Sequence, residues 1–215
     1  MIGDPVDTLR SEIERRLDAR PRPLLVAVDG RSGTGKSTLA AALRAVPPVV
    51  DARPLDAALP TVSVIEGDDF YAGGSGPNWD AMTAAEKVEH CIDWRRQRPI
   101  LADLRAGRTA SWQPFDWESP DWDAPEAKLA ETTLTCRPSP VVVLEGVYSG
   151  RPELDDLVDL RVLLDVDADE RRRRLVAREG EAYADAWFGR WTEAEEHYFG
   201  AVRPPTDFDL VLSLR

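Results

Sequence analysis

The chain has 215 residues, 43% of them hydrophobic, which is enough for one sizeable core, and no Gly/Ser linker or internal repeat marks a second. A formal net charge of −12 argues against a general nucleic-acid surface or an anionic-membrane surface, since either would repel it. No apolar run approaches membrane-spanning length, and the acidic Asp4, Asp7, Glu12 and Glu14 make the first twenty residues neither a signal peptide nor a basic transit peptide. Cys91 and Cys136 lie far apart and His90 and His197 are isolated, so all four read as structural and the chain as cytoplasmic.

Asp4 and Pro5 suit the cap and first position of a helix whose Val6, Leu9, Ile13 and Leu17 keep near-helical spacing. Pro21 and Pro23 end it, and Leu24 to Asp29 form a first strand. The stretch that follows organises the chain. Gly30, Gly35, Lys36 and Ser37 fit the pattern G-x-x-x-x-G-K-[ST], with Gly33 as a third glycine inside the turn. Glycines let successive N–H groups close on a polyphosphate, and a helix starting near Lys36 points its free N–H groups and positive dipole end at the same place. Gly30, Arg31, Ser32, Gly33, Thr34, Gly35, Lys36, Ser37 and Thr38 are therefore the candidate nucleotide-binding residues. Lys36 reaches the β- and γ-phosphates and the Ser37 hydroxyl holds Mg²⁺.

Lys36 to Ala45 continue as the first core helix, and a connection through Pro47, Pro48, Pro54 and Pro60 leads to a strand from Thr61 to Glu66. That strand runs into Asp68, Asp69, Phe70 and Tyr71, and carboxylates at a strand's carboxyl end lie where ligands collect in open α/β sheets. After a loop over 72–80, helical patterns run to Leu104 with interruptions near Asp93 and Pro99. Trp112, Phe115, Trp117 and Trp122 then stand among acidic residues, as a substrate wall or an amphipathic flap. Val141 to Glu145 and Leu160 to Asp165 are apolar strands suited to a sheet buried on both faces, with PELDDL between them as a short helix. Asp167 or Asp169 caps a helix carrying five arginines from Arg171 to Arg178, a last helix runs from about Glu181 to Phe199, and a final strand is Leu210 to Leu214.

Strands beginning at 24, 61, 141, 160 and 210, alternating with helices, imply an α/β fold: a three-layer α/β/α P-loop NTPase with a five-stranded parallel sheet in one domain over 1–215. Residues 72–135 are too long for a plain connection and form a substrate-side insertion of helices and a β-rich flap. An arginine-bearing lid spans 171–192.

With these residues placed, nearly the whole chain resembles the uridine kinase and phosphoribulokinase family of P-loop kinases. The resemblance is carried by GRSGTGKST at the phosphate loop, DDFY at 68–71, VVVLEG at 141–146 and DLRVLLDVDADERRRRLVARE at 159–179. It implies phosphoryl transfer from MgATP to a small hydroxyl compound, most simply a nucleoside. By family position Asp68 accepts the acceptor's proton and faces the metal, Glu145 joins Ser37 in holding Mg²⁺, and Arg178 and Arg174 close on the phosphates; on residue pattern alone, that arginine face reads as a solvated one. NWD at 78–80 is similar to the Asn-Phe-Asp segment of uridine kinases, which makes Asp80 a ligand for ribose hydroxyls, and PFDW at 114–117 is similar to their substrate wall. Phe115 and Trp117, two apart in an extended segment, would share a face and sandwich a planar base, with Tyr71 nearby. Two departures leave the acceptor open: Pro120 stands where uridine kinases have a base-reading histidine, and their Arg-Gly-Arg lid segment is missing.

No guanine-reading Asn-Lys-x-Asp segment is present, which argues against a regulatory GTPase. Arg95, Arg96, Arg98, Arg105 and Arg108 keep a nucleoside monophosphate kinase in play, alongside pantothenate or ribosyl-nicotinamide kinases and a non-catalytic ATP-binding module. The expected partner is a small molecule rather than nucleic acid or membrane, with oligomeric state open.

Overall fold

The computed structural model describes residues 4–17, 23–45, 62–119 and 128–214. The proline-rich connection before Val62 and the Pro120 to Pro125 end of the acidic aromatic segment lie outside the described residues.

Alternation along the first strand decides the layers. Leu24, Val26 and Val28 of β1 (Leu24–Asp29) face one side, where they pack with Leu9, Ile13 and Leu17 of α1 (Pro5–Leu17) and Leu39, Ala40 and Leu43 of α2 (Lys36–Ala45). Leu25 and Ala27 face the other side, and that cluster takes in Ile100, Leu101 and Leu104 of α5 (Trp94–Arg105) and Trp191, Ala194 and Tyr198 near the chain's end. Both faces being covered, the strand is buried at every position, as its unbroken apolar run requires.

β2 (Val62–Glu66), β5 (Val141–Glu145), β6 (Leu160–Val166) and β7 (Leu210–Leu214) complete a parallel sheet in the order β2-β5-β1-β6-β7. The five expected strands are all present, and β1 is central. The β2–β5 register sets Glu66 opposite Glu145, so the carboxyl ends of these strands and the loop leaving β1 share one edge of the sheet.

The insertion consists of α3 (Gly76–Asp80), α4 (Ala84–His90), α5 and an antiparallel pair, β3 (Ala110–Trp112) with β4 (Leu134–Cys136). Thr83 and Glu86 form a capping box on α4, and Asp93 caps α5 by accepting from the Arg95 and Arg96 amides. Pro99, expected to interrupt this helix, lies inside it. The proline costs about 3 kcal/mol in a helix interior. Burial of Ile100, Leu101 and Leu104 returns about 1.5–3 kcal/mol per side chain, so the helix continues past it.

PELDDL, expected as a short helix, makes only a 3₁₀ turn over Pro152–Leu154. α6 (Ala168–Glu179) is capped by Asp167, which accepts from the Asp169 amide, and α7 (Glu181–His197) follows after Gly180 at φ +91. These two helices are the lid region of the sequence reading. No helix among the described residues is long and apolar enough to cross a membrane.

Candidate active site

A cavity of about 780 Å³ opens at the carboxyl edge of the sheet. Ser32, Gly33, Gly35, Lys36, Ser37 and Thr38 line one end of it, and Gly30, Arg31 and Thr34 do not. Arg31 turns its guanidinium over the Phe199 ring, and the Thr34 hydroxyl donates to the Arg31 carbonyl, so both shape the loop from behind. Gly33 has φ +81, and a Cβ there would come within 2.7 Å of the Arg171 carbonyl oxygen, so both conformation and closeness demand glycine. The Lys36 ammonium donates to the carbonyls of Gly30 at 2.9 Å and Arg31 at 3.1 Å, which holds it across the mouth of the loop. Loop amides, helix N-terminus and ammonium converge as a polyphosphate site needs.

Two carboxylates absent from the sequence reading hold this loop. Asp29 is fully buried and accepts from the amides of Gly30, Tyr148 and Gly150 at 2.7, 2.9 and 2.8 Å and from the Tyr198 hydroxyl at 2.8 Å. It ties the loop to the turn after β5, where Tyr148 is kept at φ +64. Burial pushes its carboxyl above the usual range. Glu195 of α7 accepts from the Ser32 amide at 2.7 Å and pairs with Arg171 of α6 at 3.3 Å, anchoring both helices to the loop. The signal available for Asp29 was an acidic residue closing an apolar strand, a buried polar group that must find partners.

Glu145 lies at the end of β5, its carboxyl pushed up to about 7 by burial, with the Lys36 charge opposing and Asp68 reinforcing the shift. The Ser37 hydroxyl hydrogen-bonds it, and its Oε2 is buried with no partner among the described residues. A buried oxygen left without a partner beside a hydroxyl and a second carboxylate fits a divalent cation, which would satisfy that oxygen and favour the charged form.

The neighbouring aspartates are separated by their surroundings. Asp68 lines the cavity. Asp69 accepts from the Trp112 indole at 2.8 Å and its carbonyl accepts from the Phe115 amide at 2.7 Å, so it fastens the insertion to β2. Arg174 and Arg178 of α6 both line the cavity. Arg174 donates to the Thr34 carbonyl at 3.1 Å and pairs with Glu170, whereas Arg178 is exposed and pairs with its neighbour Glu179.

The far end is aromatic: Tyr71, Trp117, Tyr183, Trp187 and Trp191 line it with Ile92 and Val147. Here the sequence expectations need correction. Phe115 and Trp117 do not share an open face. Phe115 is 3% exposed and bridges Leu129, while Trp117 lies in a turn and is 46% exposed, so the two-residue alternation of a strand does not apply. Phe115 supports Tyr71 and Trp117 edge-on from below, and Trp117 stacks on Tyr71 at 5.1 Å. Asp80 is not among the cavity-lining residues; its carboxylate pairs with Arg190 of α7 at 2.7 Å. Cys91, read as structural, is a buried free thiol whose residue borders the cavity.

The sheet order, the phosphate loop and the carboxylates at the strand ends define a P-loop α/β fold with a site for a nucleotide's phosphates. No model of a known protein family matches the chain. It is 28% identical over 188 residues to a uridine kinase of Macrococcus caseolyticus, covering 84% of this chain and 78% of that one. It is also 26% identical over 191 residues to a uridine kinase of Streptococcus gordonii, covering 85% and 78%. Among solved structures, a protein provisionally assigned as a fructose transport system kinase from Silicibacter sp. TM1040 superposes with a TM-score of 0.69 at 23% identity, over 98% of this chain and 100% of that one. A candidate uridine kinase from Bacillus stearothermophilus gives 0.62 at 19%, over 95% and 99%. The similarity to uridine kinases thus extends over most of the chain, and the solved structures share its fold.

Proposed function

We propose that the chain transfers the γ-phosphoryl group of ATP, bound with Mg²⁺, to a hydroxyl of an uncharged small metabolite, first among them a nucleoside. The observation that carries this is one cavity holding a phosphate cradle at one end, Asp68 and Glu145 beside it, and an aromatic surface at the other. Phosphoryl transfer asks chiefly for positioning and charge stabilisation. Lys36 and the loop amides grip the phosphates, Ser37 and Glu145 would hold the metal with Asp68 facing it, and Arg174 and Arg178 neutralise charge on the transferred group. The chemistry that Mg²⁺ would supply there is neutralisation of phosphate charge. Asp68, on the same cavity wall, accepts the proton of the attacking hydroxyl.

A nucleoside is favoured over its monophosphate by where the arginines go. The described cations lining the cavity are Lys36, Arg174 and Arg178, all toward the phosphate loop or the lid. Arg95 pairs with Glu89, Arg98 with Asp156, Arg105 with Asp159 and Arg108 with Asp103, while Arg96 donates to the Gln113 carbonyl and lies over Phe70. None of these five borders the cavity to receive an acceptor phosphate. ADP release measured with MgATP and uridine, cytidine, pantothenate, ribosyl-nicotinamide, ribose, CMP or UMP tests the reading. Preference for a nucleoside is expected; preference for CMP or UMP, or ATP binding with no turnover on any acceptor, would count against it.

A further inference from the structure

Among the described residues, two large aromatic side chains stand open at the same cavity, and they belong to different parts of the fold. Trp117, in the insertion, is 46% exposed, and Tyr183, in the first turns of α7, is 41% exposed. Between them runs an unbroken series of ring contacts. Trp117 stacks on Tyr71 at 5.1 Å, Tyr71 meets Trp79 at 5.9 Å, Trp79 meets Trp191 at 5.2 Å, Trp191 meets Trp187 at 5.7 Å, and Trp187 stacks on Tyr183 at 5.8 Å. The middle of the series is buried, with Tyr71, Trp79 and Trp191 all under 8% exposed, so it forms a fixed floor. The two ends are the near-parallel pairs, 21° for Tyr71–Trp117 and 17° for Tyr183–Trp187, and they present ring surface to the cavity.

Beyond their stacking on Tyr71 and Trp187, the Trp117 and Tyr183 rings keep exposed surface at one cavity that nothing among the described residues covers, and such surface calls for a ligand. We infer that Tyr183 and Trp187 of α7 form, with Trp117 of the insertion, a two-part wall that selects an acceptor bearing a flat unsaturated ring, making Tyr183 and Trp187 specificity-determining residues. This rests on the small-molecule kinase reading and deepens it. Flat rings gain from offset or edge contact with indole and phenol faces beyond the area they bury, about 0.5–1.5 kcal/mol per pair. An open-chain or saturated acceptor of equal size gains only the area term.

The placement of the wall adds a second role. Tyr183 and Trp187 follow Arg174 and Arg178 in sequence across Gly180, the single residue between α6 and α7, where a Cβ would meet nothing within 4 Å. The acceptor wall and the phosphate-facing arginines therefore ride on adjoining helices, both anchored at the phosphate loop through Arg171 and Glu195. An acceptor ring seated against α7 restrains the helix pair that carries the arginines.

The test is a titration of the protein, with a non-hydrolysable ATP analogue and Mg²⁺, by uridine, cytidine, adenosine and ring-free or saturated compounds such as ribose and glycerol, read by tryptophan fluorescence. KM values are measured in parallel for whichever compounds are phosphorylated. Ring-bearing compounds are expected to alter the fluorescence and the others not. Tyr183→Ala and Trp187→Ala should each raise the Kd or KM for the ring-bearing acceptor about tenfold, the ratio for one lost ring contact, with the ATP KM unchanged. Tyr183→Phe and Trp187→Phe, which keep a ring, should restore most of it, and this rescue separates contact from folding. Ring-bearing acceptors whose KM is indifferent to both alanine variants, or a ribose-type acceptor used in preference to every nucleoside, would overturn the inference while leaving the kinase reading intact. Fluorescence unmoved by any ring-bearing compound also overturns it. Ring binding with no phosphorylation of any compound would instead sink the kinase reading and leave the wall standing.

Discussion

The two ends of the cavity are built by opposite means. At the phosphate end, backbone groups do most of the holding: the loop between β1 and α2 is pinned by Asp29 and Glu195 through amide hydrogen bonds, and its one reaching side chain, Lys36, is anchored to loop carbonyls. At the proposed acceptor end the surfaces are side chains, drawn from the insertion and from α7, and their contacts are ring against ring. Backbone cradles recognise what all nucleoside triphosphates share, whereas side-chain walls can change with the acceptor. Variants at the first end should therefore remove activity outright, and variants at the second should redistribute it among acceptors.

The largest effect is expected from Lys36→Ala, since the ammonium is aimed at the phosphates and its loss removes a principal stabiliser of transferred charge. Turnover should fall by about 10³-fold or more, with thermal stability little changed. A variant retaining near-normal turnover would break the comparison at its strongest point. Next comes Asp68→Asn, which removes a proton acceptor and should lower kcat by about 10²-fold or more with little change in ATP KM. Asp69→Asn should behave differently, because the Asp69 side chain holds Trp112 rather than the reacting groups, and Asn keeps an oxygen that can accept from the indole. Its kcat should stay near wild type, with any cost appearing in unfolding as about 1 kcal/mol or less for a weakened part-buried hydrogen bond. The reverse ranking in kcat would move the catalytic role to Asp69.

A third contrast lies wholly within the acceptor end. Phe115→Ala empties a buried position and should cost about 3–5 kcal/mol of stability. Trp117→Ala, at a half-exposed ring, should leave denaturant midpoints close to wild type and raise the KM of a ring-bearing acceptor. If both variants merely destabilised, Trp117 would belong to the core rather than the wall.

The same contrast explains what could be read from the amino-acid sequence. The five strands, α2 and the phosphate loop were legible because each has a local rule: buried strands as apolar runs, and a loop whose glycines are demanded by backbone angles. Asp29 and Glu195 were not, because their roles depend on groups brought from far along the chain, Tyr198 for the first and Ser32 for the second. Phe115 and Trp117 were read as strand neighbours, and the turn at Trp117 undid the alternation. Tyr183 and Trp187 sit four apart on one helix face, a spacing that an ordinary core stripe shares, so only the fold reveals that they face a cavity.

The smallest expected effect belongs to Asp80, the residue for which sequence similarity suggested the strongest influence on acceptor binding. Its carboxylate meets the Arg190 guanidinium twice, at 2.7 and 3.3 Å, and this pair joins the end of α3 to α7. The hydrogen bond from Arg190, helped by its charge, holds the Asp80 carboxyl below the usual range, so it is ionised across the working pH. Asp80 is exposed, and such pairs are weak because water and salt screen them. Its part is then to steady α7, the helix that carries Tyr183 and Trp187, rather than to grip hydroxyls. Asp80→Ala and Arg190→Ala should each change the acceptor KM by less than about fivefold, the range of an exposed ion pair. The double variant should do no more than either alone, as expected when two residues act through one contact. Added salt should shrink the difference from wild type. A large rise in acceptor KM for Asp80→Ala that Arg190→Ala does not share would show the carboxylate binding the acceptor directly, with the pair breaking open when substrate enters.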